Sequence, residues 1–155
     1  HRYAQRRLHR TSQRVTEFEG DPFAGDLATQ RREARERVIE MLYEADFKEG
    51  NISDVIDSQI VVPDAFAIRL AIGVYENISN LDQQIEELLH EGWSLERLGK
   101  LDRWILRLGL YEMNNAEVPT AVIINEAVEL AHQYGATDES GRFVNGLLAA
   151  QVNQQ

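Results

Sequence analysis

Four arginines stand close together in the sequence, and their side chains could bind a phosphate backbone. They are Arg31, Arg32, Arg35 and Arg37. In a helix, Arg31 and Arg35 lie four residues apart and share one face. A guanidinium group makes planar, bidentate contacts to phosphates and to base edges. Because the apolar residues of this segment recur on another face, we expect the guanidiniums to lie free in solvent and to form a small RNA-binding surface.

The same four charges also fit a plain solvated helix face. In that interpretation Arg32 pairs with Glu36 and Glu33 pairs with Arg37, each four residues apart. Spacing alone favours this alternative. A basic N-terminal arm could extend the patch or could serve only as a solubilising tail; it contains Arg2, Arg6, Arg7, Arg10 and Arg14.

A second candidate lies near the C-terminus, where Phe143 follows Arg142 at the start of a predicted helix. An exposed aromatic ring beside an arginine can stack on an unpaired base. The alternative is that Phe143 packs into the core. Asn145 and Gly146 follow in the same helix, and a helical glycine is costly. We expect a close helix–helix approach at Gly146 to offset that cost.

Two further stretches place polar side chains within apolar patterns. Asn125 and Glu126 interrupt an apolar run, and we expect them to hydrogen-bond to a neighbouring helix. Asp102 and Arg103 stand near the exposed start of a strongly amphipathic segment, where they could contact a partner. A catalytic carboxylate at Glu126 would need a second group, and spacing supplies none.

The sequence predicts a binding protein rather than an enzyme. It contains no cysteine, and its four histidines share no helical ligand spacing, so we expect no metal site and no cofactor. Glycine-rich phosphate loops and the usual hydrolase and calcium-binding motifs are also missing from the sequence. The sequence shows neither a signal peptide nor a membrane-spanning apolar run, so we expect a cytoplasmic protein with no membrane partner.

Apolar spacing of three and four residues predicts an all-α fold, a compact bundle of about seven helices joined by short loops. Residues 1–29 are expected to form a flexible tail, and residues 30–155 the helical binding domain. Thr29 is the predicted N-cap of the first domain helix.

Charge is distributed unevenly along the chain. The formal net charge is −10, with +1 on residues 1–29 and −11 on residues 30–155. Because phosphate contacts supply most non-specific affinity, this acidity argues against a general RNA binder. Fourteen of the sixteen basic residues are arginine, which leaves room for a small and selective patch.

Taken together, four stretches resemble the NusB family of bacterial transcription antitermination factors. They are Arg-Arg-x-Ala-Arg-Glu followed by Leu-Tyr (31–43), Leu-Asp-Arg-x-Ile-Leu-Arg-Leu-x-Leu-Tyr-Glu (101–112), Val-Pro with Ile-Asn-Glu-Ala-Val-Glu-Leu-Ala (118–131), and Phe-Val-Asn-Gly-Leu-Leu (143–148). The resemblance covers about residues 30–150 in the same order and spacing. It implies two three-helix subbundles plus an N-terminal helix.

The resemblance also implies a function and a set of contacts. NusB proteins bind the boxA element of ribosomal RNA leader transcripts together with NusE, a small-subunit ribosomal protein, in an RNA polymerase antitermination complex. The RNA-binding positions implied here are Arg31, Arg32, Arg35, Arg142 and Phe143. Tyr43 and Asp102 match positions at the NusE surface. NusE is basic, so the acidity of this chain would speed its docking.

Three features depart from the family pattern, and two other functions stay open. About 29 residues precede the arginines, Glu33 replaces a further basic residue, and the segment 135–143 is slightly long. The chain could instead be the RNA-binding domain of an RNA cytosine methyltransferase. It could also be a helical interaction module that forms a homodimer.

Overall fold

The structure is a computed structural model that describes residues 22–154, with side chains from Leu27 onward. Helix α1 spans Pro22–Phe47. It therefore begins seven residues before Thr29, and the predicted N-cap at Thr29 is wrong. Proline is compatible with the first turn of a helix, where its missing N–H has no intrahelical acceptor. The basic arm, from Arg2 to Arg14, lies outside the described residues.

Three shorter helices follow α1. They are α2 (Ile52–Asp57), α3 (Ala65–Glu76) and α4 (Ile78–Leu88). The side chain of Asn51 accepts a hydrogen bond from the Ser53 N–H at 2.8 Å, and Asp64 accepts one from the Ala67 N–H at 2.9 Å. Each bond satisfies a backbone donor that the first helical turn leaves unpaired, which fixes the starts of α2 and α3.

The C-terminal half contains the remaining helices and one 3₁₀ turn at Leu95–Arg97. The helices are α5 (Lys100–Asn115), α6 (Thr120–Tyr134) and α7 (Ser140–Asn153). Helix α5 is buried around most of its circumference, since every residue from Trp104 to Leu110 is buried. It is therefore the central helix, as its apolar pattern predicted.

Helices α1, α2 and α3 pack on one another, and α5, α6 and α7 form a second group. Helix α5 also packs on α1 and α3, and α4 lies against α5 and α7. A close approach joins α5 to α7 at Gly109, where a Cβ atom would lie 2.9 Å from Leu148 Cδ1. The lack of a side chain at Gly109 lets the two helices pack this tightly. The close helix approach predicted at Gly146 is wrong, because a Cβ atom added there would have no heavy atom within 4 Å.

The prediction of an all-α bundle of about seven helices is confirmed, because residues 22–154 form seven α-helices and no strand. Within those residues, no helix combines the length and the apolar character needed to cross a membrane. In the same part of the chain, no cluster of three histidine, aspartate or glutamate side chains could hold a metal ion.

Candidate nucleic-acid interface

Arg35 lies in the core rather than in solvent. Its side chain is 6% exposed, and that of Glu112 on α5 is 4% exposed. Arg35 Nε and Nη2 each donate to one carboxylate oxygen of Glu112, both at 2.8 Å. The two charges satisfy each other in the fork geometry that arginine favours. The prediction that the guanidinium of Arg35 is free in solvent is therefore wrong, because a carboxylate from another helix holds it.

Arg31 lies at the surface, where its guanidinium covers the ring of Phe66 at 4.0 Å from the ring centroid. Arg69 on α3 approaches the same ring at 5.9 Å, and Arg35 approaches it at 5.3 Å. The ring face attracts cations, so Phe66 holds three guanidiniums near one point of the surface. Arg69 thus adds a cation that the spacing of α1 could not reveal. We call Arg31, Arg32, Arg69 and Phe66 the arginine patch.

Arg32 is half exposed and pairs with Glu126 on α6. Arg32 Nε and Nη2 donate to the two oxygens of Glu126 at 3.0 and 2.9 Å. The hydrogen bond to Glu126, followed by the charge of that carboxylate, raises the pKa of Arg32. The prediction of a hydrogen bond to a neighbouring helix is confirmed for Glu126, whereas Asn125 is exposed. The predicted pairing of Arg32 with Glu36 is replaced by this longer-range contact.

Arg37 forms hydrogen bonds to the loop that follows α2. Its Nη2 donates to the Gln59 side-chain oxygen and to the Val61 backbone carbonyl, each at 2.8 Å. Arg37 therefore fixes this loop against α1 instead of pairing with Glu33 as the spacing predicted. Beside it, the loop exposes the apolar side chains of Ile60 and Val62.

Carboxylates crowd the seam between α1 and α6. Partial burial raises the pKa of Glu36 first, and the nearby carboxylates of Glu33 and Glu40 raise it further. The Tyr134 hydroxyl donates to Glu40 Oε2 at 2.6 Å. Burial, and then this hydrogen bond, raises the pKa of Tyr134. The arginine patch is therefore bordered by negative charge, which limits how far a polyanion can extend along α1.

Comparison with known proteins identifies this arrangement of helices. The family model described as the NusB family matches residues 32–153. The chain belongs to the NusB family. A relative named Transcription antitermination protein NusB from a Nitratiruptor species is 40% identical over 126 residues, covering 77% of this chain and 89% of the relative. The protein of the same name from Helicobacter hepaticus is 42% identical, covering 77% of this chain and 80% of its own.

Solved structures of NusB proteins have the same fold. T. maritima NusB matches with a TM-score of 0.72 and 34% identity, covering 81% of this chain and 92% of that chain. A crystal structure of the antitermination factors NusB and NusE in complex with dsRNA matches with a TM-score of 0.69 and 27% identity, covering 82% and 98%. A third match, at a TM-score of 0.69 and 28% identity, is the crystal structure of a plectonemic RNA supercoil.

Phe143 lies away from the arginines in this NusB-family chain. Its ring is 6.5 Å from the ring of Trp93, at an interplanar angle of 38°. Both rings line a cleft that also contains Asp102, near the start of α5, whereas Arg35 pairs with Glu112 near the end of that helix. Ten residues of helix span about 15 Å. The structure therefore does not bring Phe143 beside the arginine patch.

Phe143 itself is half-buried and packs against the edge of the core, so its environment lies between the two alternatives. Arg142 beside it is 85% exposed and pairs with Glu139 at 3.3 Å. Such an exposed pair is weak and can exchange for a phosphate. Their contact with RNA stays a prediction.

The two positions assigned to NusE differ in accessibility. Tyr43 is exposed on α1, and its ring stacks on that of Phe47, with centroids 6.4 Å apart. Asp102 is only 7% exposed, and its oxygens accept from the Ala136 N–H at 3.3 Å and from Ser140 Oγ at 3.1 Å. Asp102 thus braces the start of α7, while Tyr43 is open to a partner.

Several surface groups were missed by sequence reasoning. Arg69 and Phe66 lie on α3, outside the arginine cluster, and the exposed Trp93 stands in a loop with the Arg97 guanidinium 5.0 Å from its ring centroid. An isolated tryptophan in a polar loop after Gly92 was the one signal that could have indicated an exposed aromatic site.

Proposed function

We propose that this chain is a non-catalytic transcription antitermination factor acting in the cytoplasm. It binds single-stranded RNA of the boxA type, from ribosomal RNA leader transcripts, together with NusE in an RNA polymerase complex. Membership of the NusB family supports the role, and the observation that carries it to this surface is the gathering of Arg31 and Arg69 on Phe66.

The arginine patch has the chemistry for phosphate and base contacts. Arg31 and Arg69 come from different helices and meet on one aromatic ring, so their guanidiniums are held in place before RNA arrives. Arg32 must exchange part of its contact with Glu126, which is inexpensive because the arginine is half exposed. Arg35 supports the patch from below through Glu112, so we assign it a structural role rather than a direct RNA contact.

A separate surface fits the protein partner. Tyr43 and Phe47 form a stacked, exposed aromatic pair at the C-terminal end of α1. Exposed aromatic rings are typical anchors of protein interfaces. Glu40 and Glu44 lie on the same helix, and a basic partner such as NusE would complement their charge. RNA and NusE would therefore contact different parts of α1.

The decisive variant reverses two surface charges, Arg31→Glu with Arg32→Glu. Each lost charge-assisted contact is worth about 1.5–3 kcal/mol, so boxA RNA affinity should fall at least about 100-fold. The salt dependence of binding should also flatten, by about 0.7 in the log–log slope per lost phosphate contact. Fluorescence anisotropy with a labelled boxA oligonucleotide over a salt series measures both effects.

The matched control is Lys48→Glu with Lys100→Glu, which changes the net charge equally at two exposed positions away from Phe66. It should leave RNA affinity within a few-fold of the original, by general charge alone. Tyr43→Ala should have the opposite profile, weakening NusE and sparing RNA. RNA affinity unchanged by the Arg31 and Arg32 reversal would refute the proposal.

A further inference from the structure

The loop between α2 and α3 holds three successive apolar side chains at the surface. Ile60 is 99% exposed, Val62 is 71% exposed and Val61 is 47% exposed. Single exposed apolar residues are ordinary, whereas a contiguous apolar patch typically marks an interaction site. We call these three residues the Ile60 loop. It belongs neither to the arginine patch nor to the pair of Tyr43 and Phe47, so neither RNA nor NusE contact explains its exposure.

Hydrogen bonds hold the Ile60 loop in one conformation. Arg37 Nη2 donates to the Val61 carbonyl and to the Gln59 side-chain oxygen, each at 2.8 Å. Gln59 Nε2 in turn donates to a backbone carbonyl of α2 at 3.1 Å. At the other end of the loop, the ring of Pro63 is buried and restricts the backbone. Because both ends are fixed, binding of a partner here costs little conformational entropy.

The charge around the Ile60 loop favours a basic protein partner over RNA. Residues 50–68 contain no lysine or arginine, and they contain three aspartates, Asp54, Asp57 and Asp64. All three aspartates are exposed. Arg37 brings one positive charge to the loop, which leaves the group negative. Such a surface repels a phosphate backbone, whereas it complements an apolar pocket that is bordered by lysine or arginine.

The Ile60 loop also lies on a different face of α1 from the RNA and NusE surfaces. Arg37, which contacts the loop, follows Arg31 by six residues and precedes Tyr43 by six. Six residues turn an α-helix by about 600°, so these three side chains leave the helix axis about 120° apart. RNA on the arginine patch and NusE on Tyr43 therefore leave the Ile60 loop open to a third component.

We propose that the Ile60 loop docks onto RNA polymerase, in an apolar pocket bordered by basic side chains. This inference rests on the proposed function and adds a third contact to it, separate from RNA and NusE. Ile60 is the anchor because nearly all of its surface is free to be buried by a partner. Asp57 and Asp64 face the basic border of the pocket and orient the docking. The chain thereby links its RNA and NusE directly to the polymerase.

The test removes the apolar side chains and keeps the charge and the fold. The double variant Ile60→Ser with Val62→Ser changes two exposed side chains, so the thermal midpoint should move by less than about 2 °C. Biolayer interferometry with immobilised RNA polymerase measures the affinity of the complex of this chain with boxA RNA and NusE. The double variant should lower that affinity about 10- to 100-fold, as expected for loss of an interface anchor. Its separate affinities for boxA RNA and for NusE should not change.

Three single variants serve as controls for the double variant. Val122→Ser removes a 44% exposed apolar side chain on α6 and should leave polymerase affinity unchanged. Ile60→Leu keeps an apolar anchor and should retain affinity within a few-fold. Asp57→Asn should slow association with the polymerase at low salt and have little effect at high salt, because salt screens its charge. An association rate that Asp57→Asn does not change at low salt would overturn the basic border of the pocket.

Failure of this inference can be told apart from failure of the proposed function. If the original protein binds boxA RNA and NusE but the double variant joins the polymerase equally well, only this inference falls. If the double variant weakens NusE binding without polymerase, the loop belongs to the NusE surface and the inference is overturned. It is also overturned if sedimentation shows a dimer for the original protein and a monomer for the double variant. If the original protein binds neither boxA RNA nor NusE, both fall together.

Discussion

Helix α1 and the cleft beside Gly146, which lies between α4 and α7, are opposites in how their charged and aromatic side chains relate to the fold. On α1, Arg35 is buried against Glu112 and Arg32 is paired with Glu126. At the cleft, Trp93 is half exposed and Gly146 has open space beside it. The region richest in charge thus has most of its charge neutralised by the protein, while a region with few charges presents an open and uncommitted surface.

This difference shows that a cluster of like charges has two separate uses. Arg35 uses its guanidinium to join α1 to α5, and only Arg31, Arg32 and the distant Arg69 remain for a ligand. A buried arginine is stable only when its donors are paired, so the carboxylate of Glu112 is as necessary as the arginine. The cleft has no such requirement, because aromatic rings can be half exposed at little cost.

The largest effect that separates the two regions should come from Arg35→Ala. Removal of one partner leaves the other charge buried and unpaired, which typically costs about 3–5 kcal/mol. We expect a loss of that size in the free energy of unfolding, measured by urea denaturation. A variant that combines Arg35→Glu with Arg32→Glu would therefore destabilise the fold, so its RNA affinity would not report on the arginine patch alone.

A second variant tests whether the cost of Arg35→Ala arises because the carboxylate of Glu112 is left buried and unpaired. Arg35→Met combined with Glu112→Leu replaces both charges by apolar side chains and should recover most of the lost stability. RNA affinity of this Met–Leu variant should match that of the original, because Arg31 and Arg69 are untouched. If Arg35→Ala costs less than about 1 kcal/mol, the ion pair does not hold α1 to α5.

The helices were predictable from sequence, because their apolar residues repeat with the helical period. The stripe of α5, including Trp104, Ile105 and Leu108, is buried as its spacing indicated. The start of α1 was not predictable: Pro22 begins it, and Gly25 close behind it is locally typical of a break. A single glycine costs a helix only about 1 kcal/mol, so Gly25 does not by itself end one.

The site was predictable in part. Residue types on α1 marked Arg31 and Arg32 as candidates, but spacing compares residues only along one helix. The partners that decide the site come from elsewhere, since Glu112 and Glu126 lie 77 and 94 positions from the arginines they bind. Arg69 was missed for the same reason. Nothing in the sequence around Arg69 indicates a binding site, and only the fold shows that its guanidinium lies on the same Phe66 ring as that of Arg31.

An intermediate effect is expected for Arg69→Ala, which sharpens the boundary of the arginine patch. Arg69 is exposed, so its removal should change stability by less than about 0.5 kcal/mol. If it contacts one phosphate, RNA affinity should fall several-fold and the log–log salt slope should decrease by about 0.7. Lys48→Ala, at an exposed position just after α1, provides a comparison of equal charge outside the patch. Equal losses from both variants would mean that only net charge matters.

The smallest effect concerns the carboxylates that border the arginine patch. The pKa of Glu36 is raised by partial burial and by Glu33 and Glu40, so the folded state disfavours its ionised form. Folding stability from this group is therefore lost as pH rises through the raised pKa. Glu36→Gln should stabilise the protein at neutral pH, by less than about 1 kcal/mol after solvent screening.

The gain from Glu36→Gln should shrink as pH falls and vanish below the ordinary glutamate pKa, where the original side chain is also neutral. Urea denaturation of both proteins from about pH 3 to about pH 7 tests this pH dependence, because that range spans the ordinary glutamate pKa. Glu87→Gln, at an exposed position on α4, is the control for the loss of one surface carboxylate. A gain that persists at low pH would mean that Glu36 affects stability through packing and not through its charge.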